Sequence, residues 1–225
     1  MVVQFGFYAL SAIAFLMCIA LLRYALDSRR LITTYLLGGL VWLMYVIVIS
    51  YAGILEDFSL PPRIPLLIVI PAILAGIVFT GRPSFRSALN RAPLYLPVFL
   101  TSFRVLVELL IYGAYRLDVF PQRVTFEGLN FDVLVGLSAL PVGYLIFKRK
   151  LSRTGLLVWN IASLLVLSLT VYAFISTYYS SDYIATTGNI AFVRLPYLLL
   201  AAVLLPVAVF LHVFSIRQAI SRSGF

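Results

Sequence analysis

Apolar residues in this chain come in long blocks, with neither the alternation of a half-wet strand nor the narrow stripe of a surface helix. Seven blocks stand out, at about 3–26, 32–55, 64–80, 94–116, 131–148, 155–178 and 195–217. At 1.5 Å per residue, about 20 apolar residues cross a hydrocarbon core of about 30 Å. The blocks therefore predict an all-α fold, a single integral membrane domain of seven transmembrane helices over residues 1–225. Lipid offers no partner for an unpaired backbone group, so helices are the elements such blocks must form. The third and fifth blocks lie near the lower length limit. All connections are short, which leaves no room for a soluble domain between spans.

Composition points the same way. The chain is 63% hydrophobic and only 11% charged, with a mean hydropathy of +1.06. A soluble domain carries about 25% charged residues, so there are too few charges here to coat a water-soluble globule. A soluble enzyme, a disordered tail and a fibrous protein are excluded. One cysteine, Cys18, makes no intramolecular disulfide, and the sole histidine, His212, makes no zinc site with several imidazoles.

The net charge of +9 and the pI near 9.9 could signal nucleic acid, but the placement of the charges gives another reason. Arg23, Arg29, Arg30, Arg82, Arg86, Arg91, Lys148, Arg149, Lys150, Arg153, Arg217 and Arg222 fall on one side, twelve in all. Arg63, Arg116, Arg123 and Arg194 fall on the other, and Arg104 lies inside a span. Twelve against four is a strong positive-inside bias. It predicts the N-terminus outside and the C-terminus in the cytoplasm, with membrane lipids rather than nucleic acid as partners. The first charge, Arg23, follows the first apolar block instead of preceding it, so that block is expected to be a retained anchor and not a secretory signal. Seven spans with the N-terminus outside is also the rhodopsin plan. A retinal Schiff base needs a lysine within a span, and the only lysines are Lys148 and Lys150 in a loop, so retinal is excluded.

Residues 23–86 and 148–217 share an order of features. Each stretch opens with a basic loop and carries a Tyr-Ala pair near the end of its first span, at Tyr51-Ala52 and Tyr172-Ala173. Each enters its next span through Arg-x-Pro, at Arg63-Ile64-Pro65 and Arg194-Leu195-Pro196, and has a further proline inside it, Pro71 or Pro206. The pattern suggests a 3+1+3 parallel repeat with the fourth span as linker.

That fourth span carries Arg104 and Glu108, four residues apart and hence on one helical face. Arg104 sits about ten residues into the span, where a lone charge costs about 2.5–3.5 kcal/mol. The pair must face protein or a wet cavity. Glu127 and Asp132, just before and within the first turn of the fifth span, and Arg194, at the entry to the seventh, lie toward the same membrane face. The expectation is a charged vestibule open to the outside, with Arg104 anchoring an anion or holding Glu108 ionised. The plainer reading is a structural ion pair and a capped helix entry, in which Gly128 makes the turn, Asn130 caps, and Asp132 complements the dipole. Three carboxylates could also hold a divalent cation. His212 is expected in the last turns of its helix, favoured there by the dipole, and Asn160 as interhelical glue. No cofactor-binding motif is present, and the sequence assigns neither a metal, a catalytic residue nor an oligomeric state.

Three function classes fit. The first is a small transporter or channel-like protein using the charged outer cavity, with an unspecified small ligand or ion. The second is a membrane receptor or assembly protein presenting its outer loops. The third is a membrane-embedded enzyme, ranked last because no nucleophile and base stand out.

Arg104-x-x-x-Glu108, the run Thr125-Phe126-Glu127-Gly128-x-Asn130-Phe131-Asp132, and Leu195-Pro196 through His212-x-x-Ser215-x-Arg217-Gln218 together resemble a family of small bacterial multi-span inner-membrane proteins. The resemblance runs from about residue 60 to the C-terminus. It departs at Gly113, where the family carries a bulkier residue. It implies a bacterial inner-membrane location and no activity.

Overall fold

The computed structural model describes residues 1–26 and 29–221; for Ser84, Arg86, Ser87 and Ala88 it describes the backbone alone. Arg222 and the side chain of Arg86, both counted above in the charge bias, lie outside the described residues. The described chain is helical, without strands. Its helices are α1 (Val2–Ala25), α2 (Arg29–Tyr51), α3 (Pro65–Gly81), α4 (Arg86–Arg91), α5 (Tyr95–Tyr115), α6 (Asp132–Phe147), α7 (Arg153–Tyr179), α8 (Tyr183–Thr187) and α9 (Leu200–Ser221). Five of them, α1, α2, α5, α7 and α9, are long and apolar enough to cross a membrane; α3 and α6 are shorter apolar helices.

The surface has the character expected of lipid contact. On α2 only Val46 and Ile49 are buried, while Leu37, Val41, Met44 and Val48 each expose more than half of their surface. Similar large apolar side chains project from α1, α6 and α7. A water-soluble monomer does not carry apolar surface on this scale. This is a multi-pass membrane protein.

The bundle is organised around α9. It packs against α1, α3, α4, α5 and α7, and Ala201, Ala202, Ala208 and Ser215 on its buried surface let neighbours approach closely. The two ends of the bundle are tied separately. At one end Glu56 pairs with Arg194, the Ile64 amide donates to Tyr179 Oη (3.2 Å), and Asn189 Nδ2 donates to the carbonyls of Asp118 and Val119. At the other, Gln218 Nε2 donates to the carbonyls of Leu89 and Ala92, and Arg153 donates to Ile220 O.

Two helices are interrupted, and prolines explain where. Pro71 and Pro206 lack an N–H and crowd the carbonyl four residues back. Just before each proline the helix widens to a π turn, over Pro65–Val69 and Leu200–Leu204. The carbonyls released are those of Leu67 and Ala202. Both find donors on α2: Tyr45 Oη donates to Leu67 O (3.1 Å) and Trp42 Nε1 to Ala202 O (2.8 Å). The two rings pack together at 5.3 Å. An aromatic pair on a peripheral helix thus replaces two backbone hydrogen bonds that proline removes. At Pro141 the chain continues as one helix, α6.

Candidate functional site

The site begins in the connection from α5 to α6. The backbone of residues 123–130 folds on itself, with Leu129 N donating to Arg123 O (2.9 Å) and Asn130 N to Thr125 O (3.2 Å). Gly128 is needed here because a Cβ would lie 2.6 Å from the carbonyl oxygens of Gln122 and Arg123. The fold buries Asn130 completely. Its Oδ1 accepts from the Asp132 amide (3.1 Å) and from Thr170 Oγ1 on α7 (2.7 Å). Its Nδ2 faces both oxygens of Glu108, at 2.9 and 2.8 Å, and Val124 O at 3.1 Å. Asn130 therefore does cap the start of α6, and it also joins α5, α6 and α7.

Asp132 in turn receives Arg104. Nε and Nη2 of the guanidinium contact the two carboxylate oxygens, and both side chains are almost fully buried. Close approach of α5 and α6 makes this possible: at Gly136, one turn beyond Asp132, a Cβ would lie 2.8 Å from the backbone nitrogen of Val105. Arg104 Nη1 reaches His212 Nε2 at 3.0 Å. A guanidinium can only donate, so Nε2 accepts and the ring hydrogen sits on Nδ1. It points at Asn160 Oδ1, 2.9 Å away. Asn160 Nδ2 then donates to Ser215 Oγ (3.0 Å) and Leu156 O (2.9 Å). A neutral histidine is thereby fixed in one tautomer by partners on both sides.

The result is a continuous buried network through Glu108, Asn130, Asp132, Arg104, His212, Asn160 and Ser215. It touches α7 at Thr170 and again at Asn160, ten residues apart, so it runs about 15 Å along the helix. That is half the thickness of a hydrocarbon core.

A cavity of about 70 Å³ adjoins the network. Arg104, Glu108, Asp132 and Thr170 contribute to its lining, and the remaining wall is almost wholly apolar. Both π turns border it, through Pro65 and Val69 on one side and Leu200 and Leu204 on the other. Tyr179, held by the Ile64 amide, closes the end nearest the 52–64 connection.

Several expectations change at this point. Arg104 and Glu108 lie on one face as predicted, but Arg104 ion-pairs with Asp132, and Glu108 is held by Asn130. Glu127 and Arg194 do not join them. Glu127 is exposed, with Gln122 Nε2 at 3.4 Å, and Arg194 is exposed and paired with Glu56 at 3.0 Å. Arg123 is also at the surface, beside Ser176. A separate surface ion pair joins Asp57 and Arg63. Ser59 N donates to the Asp57 carboxylate, which holds that carboxyl below the ordinary range. His212 is not in the last turns of its helix: α9 continues to Ser221, and ring partners rather than the dipole place the side chain. Among the described residues no group of three or more His, Cys, Asp or Glu side chains is arranged to hold a metal ion. Sequence reasoning missed Thr170 and Ser215, because a hydroxyl in a span more often bonds its own helix. The three- and four-residue spacing of Ala208, His212 and Ser215 along α9 was the one signal available.

No protein-family model, no curated protein and no solved structure matches this chain.

Proposed function

We propose that this protein is a small seven-span carrier that takes a largely apolar molecule with one polar group into the cavity beside Glu108. The observation that carries the reading is the cavity itself, an apolar space whose charged and hydrogen-bonding side chains all belong to one buried network. Ionisable groups within spans are costly and mark pathways or sites more often than not. Two interrupted helices border the space, as in transporters whose discontinuous helices form the binding site, and π turns are frequent at functional positions. The apolar wall favours a ligand of amphiphilic rather than sugar-like character.

Seven crossings, with the N-terminus outside and the C-terminus cytoplasmic, complete the proposal. At 17 and 16 residues, α3 and α6 measure about 24–26 Å, slightly less than the core. Lys148 and Arg149 at the end of α6 can snorkel to make up the difference. The twelve-to-four charge bias supports the orientation. The order of π turn and proline in α3 and α9 supports a 3+1+3 repeat, and the family resemblance supports a bacterial cytoplasmic membrane.

Two experiments test this. Single cysteines at 148–153 should be labelled only from the cytoplasmic side and those at 116–123 only from outside; the reverse result removes the orientation. In detergent, a panel of small amphiphiles should include compounds that raise the melting temperature of the wild type and not of Ala208→Leu, which fills the cavity. Equal stabilisation of both would remove the cavity as the binding site.

A further inference from the structure

The charges in the buried site do not balance. It holds two carboxylates, Glu108 and Asp132, and one guanidinium, Arg104, while His212 is neutral because it accepts from Arg104. Arg104 gives two of its nitrogens to Asp132 and the third to His212. Among the described residues no cation pairs with Glu108. Its partner is one amide nitrogen, Asn130 Nδ2, whose two hydrogens serve both carboxylate oxygens and Val124 O. An ionised Glu108 thus lacks a counter-charge, and a protonated Glu108 has no acceptor within the chain for its O–H. Neither form is fully satisfied by the protein.

Glu108 nevertheless lies on the cavity wall, with Thr170 beside it on the same asparagine. The Thr170 hydroxyl spends its hydrogen on Asn130 Oδ1 at 2.7 Å and keeps lone pairs to accept with. A carboxylate and a hydroxyl acceptor at the edge of an apolar space match one kind of head group: a cation with several N–H donors on a short alkyl body.

Resting on the carrier reading, we propose that the ligand is a small alkylammonium ion, and that it exchanges with a proton on Glu108. With no ligand bound, Glu108 carries the proton. When R–NH3⁺ enters, the carboxyl O–H bond breaks, the proton leaves to solvent, and the ammonium N–H groups donate to Glu108 and Thr170. The charge in the site is the same before and after, so neither state buries an unpaired ion. The cavity volume sets the body at a few carbons, or the head end of a longer amine whose tail continues toward lipid.

The test is calorimetry on the intact protein in mild detergent, with n-butylammonium and the uncharged n-pentanol as probes. Titrations in two buffers of different ionisation enthalpy report the protons released. Wild type should bind both probes and release about one proton per butylammonium bound. Glu108→Gln should weaken butylammonium about tenfold or more, equivalent to about 1.4 kcal/mol, and leave pentanol unchanged. Sodium ion at equal concentration should release no proton. If wild type binds pentanol but not butylammonium, or binds butylammonium without proton release, the ammonium inference is overturned and the carrier reading stands. The same holds if sodium displaces the proton as well as butylammonium does. If neither probe binds, both fall. Proton release is read on the wild type, so the inference stays testable even if Glu108→Gln fails to fold.

Discussion

Replacing Asp132 by leucine removes the only anion paired with Arg104. Arg104 is 1% exposed and Asp132 3%, so the guanidinium cannot turn to water without opening the α5–α6 contact that Gly136 makes tight. Its remaining partner is His212 Nε2 at 3.0 Å, a neutral acceptor. Breaking a buried ion pair from one side costs about 3–5 kcal/mol, a loss of about two to three and a half decades in the folding equilibrium at 1.4 kcal/mol per decade. Restoring neutrality should reverse it. In Arg104→Met/Asp132→Leu no charge remains unpaired, and stability should return to that of the wild type or exceed it by about 1–4 kcal/mol. Denaturant titration in detergent can follow this through Trp159, whose ring lies 5.4 Å from that of His212. A cost for Asp132→Leu under about 1 kcal/mol, the typical worth of an exposed pair, would mean that Arg104 reaches water or lipid head groups. A double variant no better than the single would place the loss in packing, not in charge.

Other outcomes follow from the same geometry. Trp42→Phe leaves Ala202 O without its donor and should cost about 1–3 kcal/mol by thermal unfolding, whereas removing the more exposed Tyr45 hydroxyl should cost less. Gly136→Ala places a methyl 2.8 Å from Val105 N and should destabilise by about 1–3 kcal/mol. Glu56→Gln and Arg194→Gln, at an exposed pair, should each change stability by no more than about 1 kcal/mol. The Asp57 carboxyl is held below its ordinary value of 3.8, chiefly by the Ser59 amide, so its contribution to the 57–63 turn is full above that pH. It should be lost only as pH falls further, and amide exchange at Ser59 should quicken there and not between pH 5 and 8.

Residue type and block length determined the class of this protein. Apolar runs of this length have few ways to satisfy their backbone in lipid, so the seven helices were legible without any tertiary contact, to within a few residues at most ends. Pro71 and Pro206 were legible as helix interruptions, because a missing N–H acts locally. Arg104 and Glu108 announced themselves as buried charges by depth alone. Partner choice was not legible. Residues Arg104 and Glu108 are neighbours on one helix, and sequence spacing pairs them. The fold instead swings Asp132 onto Arg104 and Asn130 onto Glu108, because Gly128 and Gly136 let a loop and a helix come closer than any side chain would permit. Glu127 and Arg194 share their membrane face with the site yet end at the surface, since a face specifies depth and says nothing of direction around the bundle. His212 and Asn160 are 52 positions apart and meet only because α7 and α9 pack side by side. Local chemistry fixes which groups must be buried. Which buried groups meet depends on helix rotation and close approach, and those belong to the assembled bundle.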